Sequence, residues 1–267
     1  MALKIQKSNS TSVFQINENS RDRLISLFSP IILIGIWELA AQFGWIDVRF
    51  FPAPSSIFRE LVVLTKSGEL TTHTMASMSR LFWGFVFGGI PAIMLGIAMG
   101  LNRICKAVFD PLIAATYPIP KSSILPLALL VFGLGEGSKI FMVAVGVFFP
   151  IAINTTTGVL EINRIYLDVG RNFGASRWNT FYTIALPGAM PMIVAGIKLG
   201  IGLGLILIAV AEMIGAKSGL GYLIWNAWET FDVEQMYVGL FVIAMIGFIL
   251  TLGMNELEQK LIPWKKA

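Results

Sequence analysis

The stretch LFWGFVFGGIPAIMLGIAMGLN, residues 81–102, carries no charge between Arg80 and Arg103. About 20 predominantly apolar helical residues cross the hydrocarbon core of a bilayer, and this run supplies them. Residues 140–160, between Lys139 and Glu161, and residues 235–255, between Glu234 and Glu256, have the same form. Composition agrees: of 267 residues, 55% are hydrophobic and only 13% charged, against roughly 25% charged in a soluble domain. The mean hydropathy is +0.74. So few charges cannot coat a water-facing surface, and the expected class is an all-α integral membrane protein.

Three less regular segments bring the expected count to six transmembrane helices. Residues 24–43 are interrupted only by Glu38, placed where a carboxylate reaches the headgroups. Residues 107–134 contain Lys121, and residues 191–211 contain Lys198. The second span is expected over about 79–102, within a core of residues 71–258. Residues 50–70 are too short and too charged to span. Pro54, Ser55 and Ser56 make a good helix start, and Ile57, Leu61 and Leu64 share a face, which predicts an interfacial helix on the outer side.

An even count puts both termini on one side. The tail 1–23, the 103–106 and 161–190 loops and the C-terminal end hold 12 Lys and Arg, and the opposite loops hold 6. By the positive-inside rule both termini are cytoplasmic. The tail has no apolar core followed by a small-residue cleavage site, so it does not read as a signal peptide. One cysteine, Cys105, and one histidine, His73, argue against a disulfide framework or a Cys/His metal cluster.

The inner loop EINRIYLDVGRNFGASRWNTFYTIALPGAMP, residues 161–191, is long for a chain whose other inner loops are short, and such loops usually carry a function. Gly174 suits a helix stop, Ser176 a helix cap, and Pro187 and Pro191 a turn into the fifth span. The expected product is a short helix across the cytoplasmic face, shaped to enter a partner's groove.

This loop resembles the cytoplasmic pattern of ATP-binding-cassette importer permeases: Glu-Ala-Ala, three residues, Gly, nine residues, Ile, one residue, Leu-Pro. Here Asp168-Val169-Gly170 precedes Gly174, and Ile184, Leu186 and Pro187 follow at the matching spacing. Val169 and Gly170 stand where the pattern has alanines. The stretches FPAPSS, SMSRLFWGF, PIPKSSILPLALLVFGLGEGSK, FFPIAINTTTGV and AEMIGAKSGLGYLIW are similar to the nitrate, sulfonate, taurine and bicarbonate permease group. The resemblance implies a type I importer permease fold, with a five-helix core, one leading helix, and a coupling helix between helices 4 and 5. It implies ATPase coupling through Asp168, Arg171, Gly174, Ser176, Arg177, Ile184, Leu186 and Pro187. It also implies a second permease copy, cytoplasmic ATPase subunits that bind ATP and Mg, an external solute-binding protein, a bacterial inner membrane and no nucleic acid partner.

No cofactor is expected on this chain. A nucleotide-binding loop needs GxxxxGK[ST], and residues 133–139, GLGEGSK, lack the Gly-Lys pair. The glycines at 84 and 88, 96 and 100, and 196, 200 and 204 permit close helix approach, either within the bundle or in a dimer seam. Ionisable groups at membrane depth are costly and mark paths or buried pairs. Lys121, Asn154, Thr155, Lys198 and Glu212 are therefore the candidate translocation-path residues, either offsetting an anion's charge or bonding neighbouring helices. A self-sufficient secondary transporter or channel is the alternative function, though inverted repeats and midplane half-helix sites are not evident.

Overall fold

The computed structural model describes residues 28–263; the tail 1–23, the start of the leading span and residues 264–267 lie outside them. Every regular element among the described residues is helical. The chain divides into two compact units that meet between Glu60 and Leu61. In the first, α1 (Phe28–Gln42) leads to the start of α2 (Pro54–Lys66). Glu38 accepts hydrogen bonds from the backbone N–H of Ser55 at 2.9 Å and from its hydroxyl at 2.8 Å. It is thus the N-terminal cap of α2, bound to protein instead of headgroups, and it satisfies donors that a helix start leaves open.

The second unit contains four helices long and apolar enough to cross a membrane: α3 (Glu69–Leu101), α6 (Glu136–Leu160), α8 (Trp178–Met213) and α10 (Val233–Leu261). The expected third span is broken into α4 (Arg103–Thr116) and, after a tight 3-10 turn at Lys121–Ile124, α5 (Leu125–Phe132). The two pieces bend by 92°. Pro118 and Pro120 lie in the break, and neither can donate a helical hydrogen bond.

At two places a proline does not end its helix. α3 and α8 each contain one widened π turn, at Phe85–Gly89 and Phe181–Ala185. Pro91 and Pro187 follow two residues later, where the wider turn relieves the clash with the carbonyl four residues back. α8 therefore starts about a dozen residues before the expected 191 and runs through Pro187 and Pro191. The segment between the fifth and sixth expected spans, a connection by the span count, contains α9 (Leu220–Glu229), whose Leu220, Leu223, Ile224 and Ala227 are buried.

α6 is the central helix. Val143, Val147 and Ile151 are fully buried among Leu81 and Ala92 of α3 and Ile201, Leu205 and Ile208 of α8. The glycine steps make this possible. A Cβ on Gly84, Gly88, Gly96 or Gly100 would collide with Val143, Ala144, Thr155 or Val159 of α6, and one on Gly196 would lie 3.0 Å from the Asn154 Cβ on the opposite seam. These glycines therefore serve close packing within one chain.

Candidate functional site

Three arrangements bear on function. The first is the 161–190 loop. α7 (Arg164–Asn172) is capped by Asn163, whose Oδ1 accepts from the Ile165 N–H at 3.0 Å. Gly174 closes the turn with φ 68°, a left-handed conformation that glycine adopts without a Cβ penalty. Ser176 Oγ accepts from the Asn179 N–H at 3.2 Å, and Arg177 opens the turn leading into α8.

The coupling candidates separate into two sets. Asp168, Arg171, Gly174 and Ser176 are exposed, with Asp168 and Arg171 3.4 Å apart. Ile184, Leu186 and Pro187 are half-buried, and Leu186 packs on the cluster of Ile97, Val159, Ala189 and Ile193. Gly170 is explained by Ile184: a Cβ there would lie 2.8 Å from the Ile184 Cδ1, so the alanine of the pattern would need repacking. Around the loop Ile165, Tyr166, Phe173, Trp178 and Tyr182 expose most of their surface, an apolar face at a helix-turn-helix corner.

The second arrangement is the break at Lys121. Its Nζ donates to the carbonyls of Thr116, Tyr117 and Ile119 at 3.0, 2.9 and 3.0 Å, and lies 4.1 Å from the centre of the Phe149 ring. The ammonium thus satisfies carbonyls at the place where the prolines withhold donors, as backbone at membrane depth requires. It sits beside an apolar cavity of about 710 Å³ lined in part by Phe87, Ile140, Phe148 and Phe149. The other path candidates lie elsewhere. Lys198 pairs with Glu258 of α10 at 2.5 Å. Asn154 donates to the Pro150 carbonyl at 2.7 Å. Thr155 is fully buried beside Gly96, and its hydroxyl has no hydrogen-bond partner among the described residues.

The third arrangement was missed in the sequence apart from Glu212. At the end of α6 remote from α7, Arg80 of α3 is almost wholly buried between two carboxylates. Its Nε and Nη2 form a fork on Glu136 at 2.6 and 2.7 Å, while Nη1 donates to Glu212 at 2.8 Å and to the Ser218 carbonyl at 2.6 Å. Glu212 also accepts from the Ser77 hydroxyl and from the Gly221 N–H. Lys139 donates to the carbonyls of Leu134, Gly135 and Gly215. The Gly219 N–H donates to His73 Nδ1 and the Leu220 N–H to the Ser77 hydroxyl.

The loop between α8 and α9 is thus held by side chains from three long helices. Gly215, Ser218, Gly219, Leu220 and Gly221 all have a backbone group satisfied this way, as the buried backbone of Gly219, Leu220 and Gly221 must. Gly219, at φ 122°, lies directly against the Glu212 carboxylate. The available signals were Arg80, Glu136 and Lys139 at span edges and three glycines close behind Glu212, but their partners are far apart in sequence.

A helical bundle with one sharply bent helix pair, close seams on a central helix and an exposed loop helix at one end is the architecture of an integral membrane protein and fits a permease subunit. The chain belongs to the family described as the binding-protein-dependent transport system inner membrane component, whose model matches residues 92–263. It is similar to the taurine transport system permease protein TauC of Escherichia coli, 32% identical over 92% of this chain and 91% of that protein. It is also similar to the putative aliphatic sulfonates transport permease protein SsuC of the same organism, 35% identical over 92% of this chain and 93% of the relative. Among solved structures, the inward-facing MetNI methionine ABC transporter shares the fold with a TM-score of 0.52 and 19% identity, covering 70% of this chain and 91% of that one. The protein is a multi-pass permease subunit of an ATP-binding-cassette importer.

Proposed function

We propose that this permease carries a small sulfonate-type anion, with nitrate and bicarbonate as alternatives of the same charge. The observation that carries the reading is the 32% and 35% identity, over nine-tenths of the chain, to permeases described for taurine and for aliphatic sulfonates. Two copies pair around the path. Cytoplasmic ATPase subunits hold ATP and Mg, and an external protein delivers the solute. The corner at Gly174 seats on the ATPase through Asp168, Arg171, Ser176 and Arg177, while Ile184, Leu186 and Pro187 carry its motion into α8. Lys121 is the cation this reading keeps for the path, because its partners are carbonyls and a ring, whereas the charge of Lys198 is offset by Glu258. Its donors are engaged, so it acts by its field.

Both termini face the cytoplasm. The positive count favours this more strongly once Arg80 and Lys139 are recognised as buried network members. The test is ATP-driven uptake of labelled taurine and methanesulfonate by the reconstituted permease, ATPase and binding protein, with Gly174→Trp alongside. Saturable sulfonate uptake that Gly174→Trp abolishes, at normal membrane level, supports the reading. Uptake of only uncharged or cationic solutes overturns the substrate class, and normal uptake by Gly174→Trp overturns the coupling role.

A further inference from the structure

We infer that the Arg80 guanidinium is an anion receptor at the end of the bundle remote from α7, with the Glu136 carboxylate occupying the position that a sulfonate takes in turn. The inference rests on the anionic-substrate reading above. Its basis is the unequal hold on the two carboxylates that flank Arg80. Glu212 is wholly buried and bound by Ser77, Arg80 and the Gly221 N–H. Glu136 has 65% of its side chain exposed, and among the described residues its side-chain hydrogen bonds are to the Arg80 fork alone. One carboxylate is anchored, and the other can swing out by side-chain rotation.

The charges explain why something must replace it. Arg80 and Lys139 balance Glu136 and Glu212, and Lys139 lies within electrostatic reach of the other three. With Glu136 turned away, the buried remainder carries one net positive charge, an unfavourable state in a site of low dielectric. A single monovalent anion restores neutrality. The fork of Nε and Nη2 that matches a carboxylate also matches two oxygens of a sulfonate. Ser218 Oγ, 3.2 Å from Nη2, accepts from the guanidinium and keeps its own proton to donate to the third oxygen. Glu136 stands in the first turn of α6, where the helix dipole favours negative charge. Arg80 needs no movement, since Glu212 and the Ser218 carbonyl hold its other edge.

The experiment uses the permease–ATPase complex in nanodiscs without binding protein, and reads the concentration of sodium methanesulfonate that gives half-maximal thermal stabilisation. Sodium chloride at equal ionic strength and uncharged dimethyl sulfone are the controls. In wild type the anion must displace a tethered carboxylate. Glu136→Gln removes that competition and should lower the midpoint about tenfold, the scale of one lost charge-assisted competitor. Glu136→Asp keeps the charge on a shorter reach and should fall between. If Glu136→Gln assembles poorly, methanesulfonate during purification should restore it, and absence of rescue together with a wild-type midpoint for Glu136→Asp overturns the inference. Equal midpoints in all three proteins, or equal responses to chloride or dimethyl sulfone, also overturn it. Sulfonate uptake by the complete wild-type system with unshifted midpoints rejects the site and leaves the substrate reading standing. Shifted midpoints in a system that imports only uncharged solutes reject the substrate reading and leave an anion site.

Discussion

Lys121→Met isolates what the ammonium does at the break between α4 and α5, because methionine retains much of the stem and supplies no donor. The Thr116 carbonyl keeps a bond from the Ile119 N–H at 3.2 Å. The Tyr117 and Ile119 carbonyls lose the donors at 2.9 and 3.0 Å. A buried acceptor left unpaired costs about 1–3 kcal/mol, but Tyr117 and Ile119 are exposed, so most of that is recovered, and the lost cation–ring contact with Phe149 adds about 0.5–1 kcal/mol. A net loss of about 1–2 kcal/mol is expected. At about 2–4 °C per kcal/mol for a chain of this size, the apparent Tm should fall by about 2–8 °C. The assay is fluorescence-detected size-exclusion after heating, on the complex with its ATPase, with assembled yield measured in parallel. Lys121→Arg, which retains charge and several donors, should lose less than half as much. A Lys121→Met complex with wild-type yield and a Tm within about 1 °C would refute the idea that this lysine staples the broken span. Reduced uptake per assembled complex would then assign it to the path alone.

Gly219→Ala should destabilise by about 2–6 kcal/mol, combining a glycine-only backbone conformation with collision against Glu212. Gly174→Ala, also at positive φ but with open space around its Cβ, should cost only about 1–2 kcal/mol; equal thermal shifts for the two would contradict this. The pair of Lys198 and Glu258 should behave as a unit, so the double variant Lys198→Met with Glu258→Gln should assemble better than the worse single variant, and strict additivity of the thermal losses would argue against coupling. In a Cys105→Ser background, cysteine at exposed Lys217 should react with an impermeant thiol reagent in intact cells and cysteine at exposed Asn172 should not. The opposite labelling would invert the orientation.

The spans were legible because lipid imposes a composition that few other environments tolerate: 140–160 and 235–255 lie inside α6 and α10, and 81–102 lies inside α3 but for Asn102, which caps α4. Their ends were less so. The sequence marks where charge begins, whereas α3 already starts at Glu69, with His73 and Arg80 bonded to the α8–α9 segment and to Glu136, and α8 starts at the exposed Trp178. Pro118 and Pro120 mark a break, but neither the 92° bend nor the bonding of the Lys121 ammonium to the Tyr117 and Ile119 carbonyls has a local sequence signal. Pro187 carried the opposite signal from its effect, since a π turn absorbed it. α9 was hidden by Glu229, Asp232 and Glu234, which made its surroundings read as loop. Glu212 stood out as a charge at depth, but Arg80 looked like a boundary residue. The pairing depends on two helices whose contact no local pattern announces.

The buried arginine also sets a problem of timing in biogenesis. Arg80 precedes Glu136 by 56 residues and Glu212 by 132. Ribosomes elongate at about 5–20 residues per second, so these partners emerge roughly 3–11 s and 7–26 s after it. During that interval α3 carries a cation without either carboxylate. The insertion machinery or the headgroup region must hold this helix until α6 arrives. The α8–α9 segment closes the arrangement only after three earlier helices are in place. The charge network of Arg80 can therefore close only once α8 has been made, late in the synthesis of the permease.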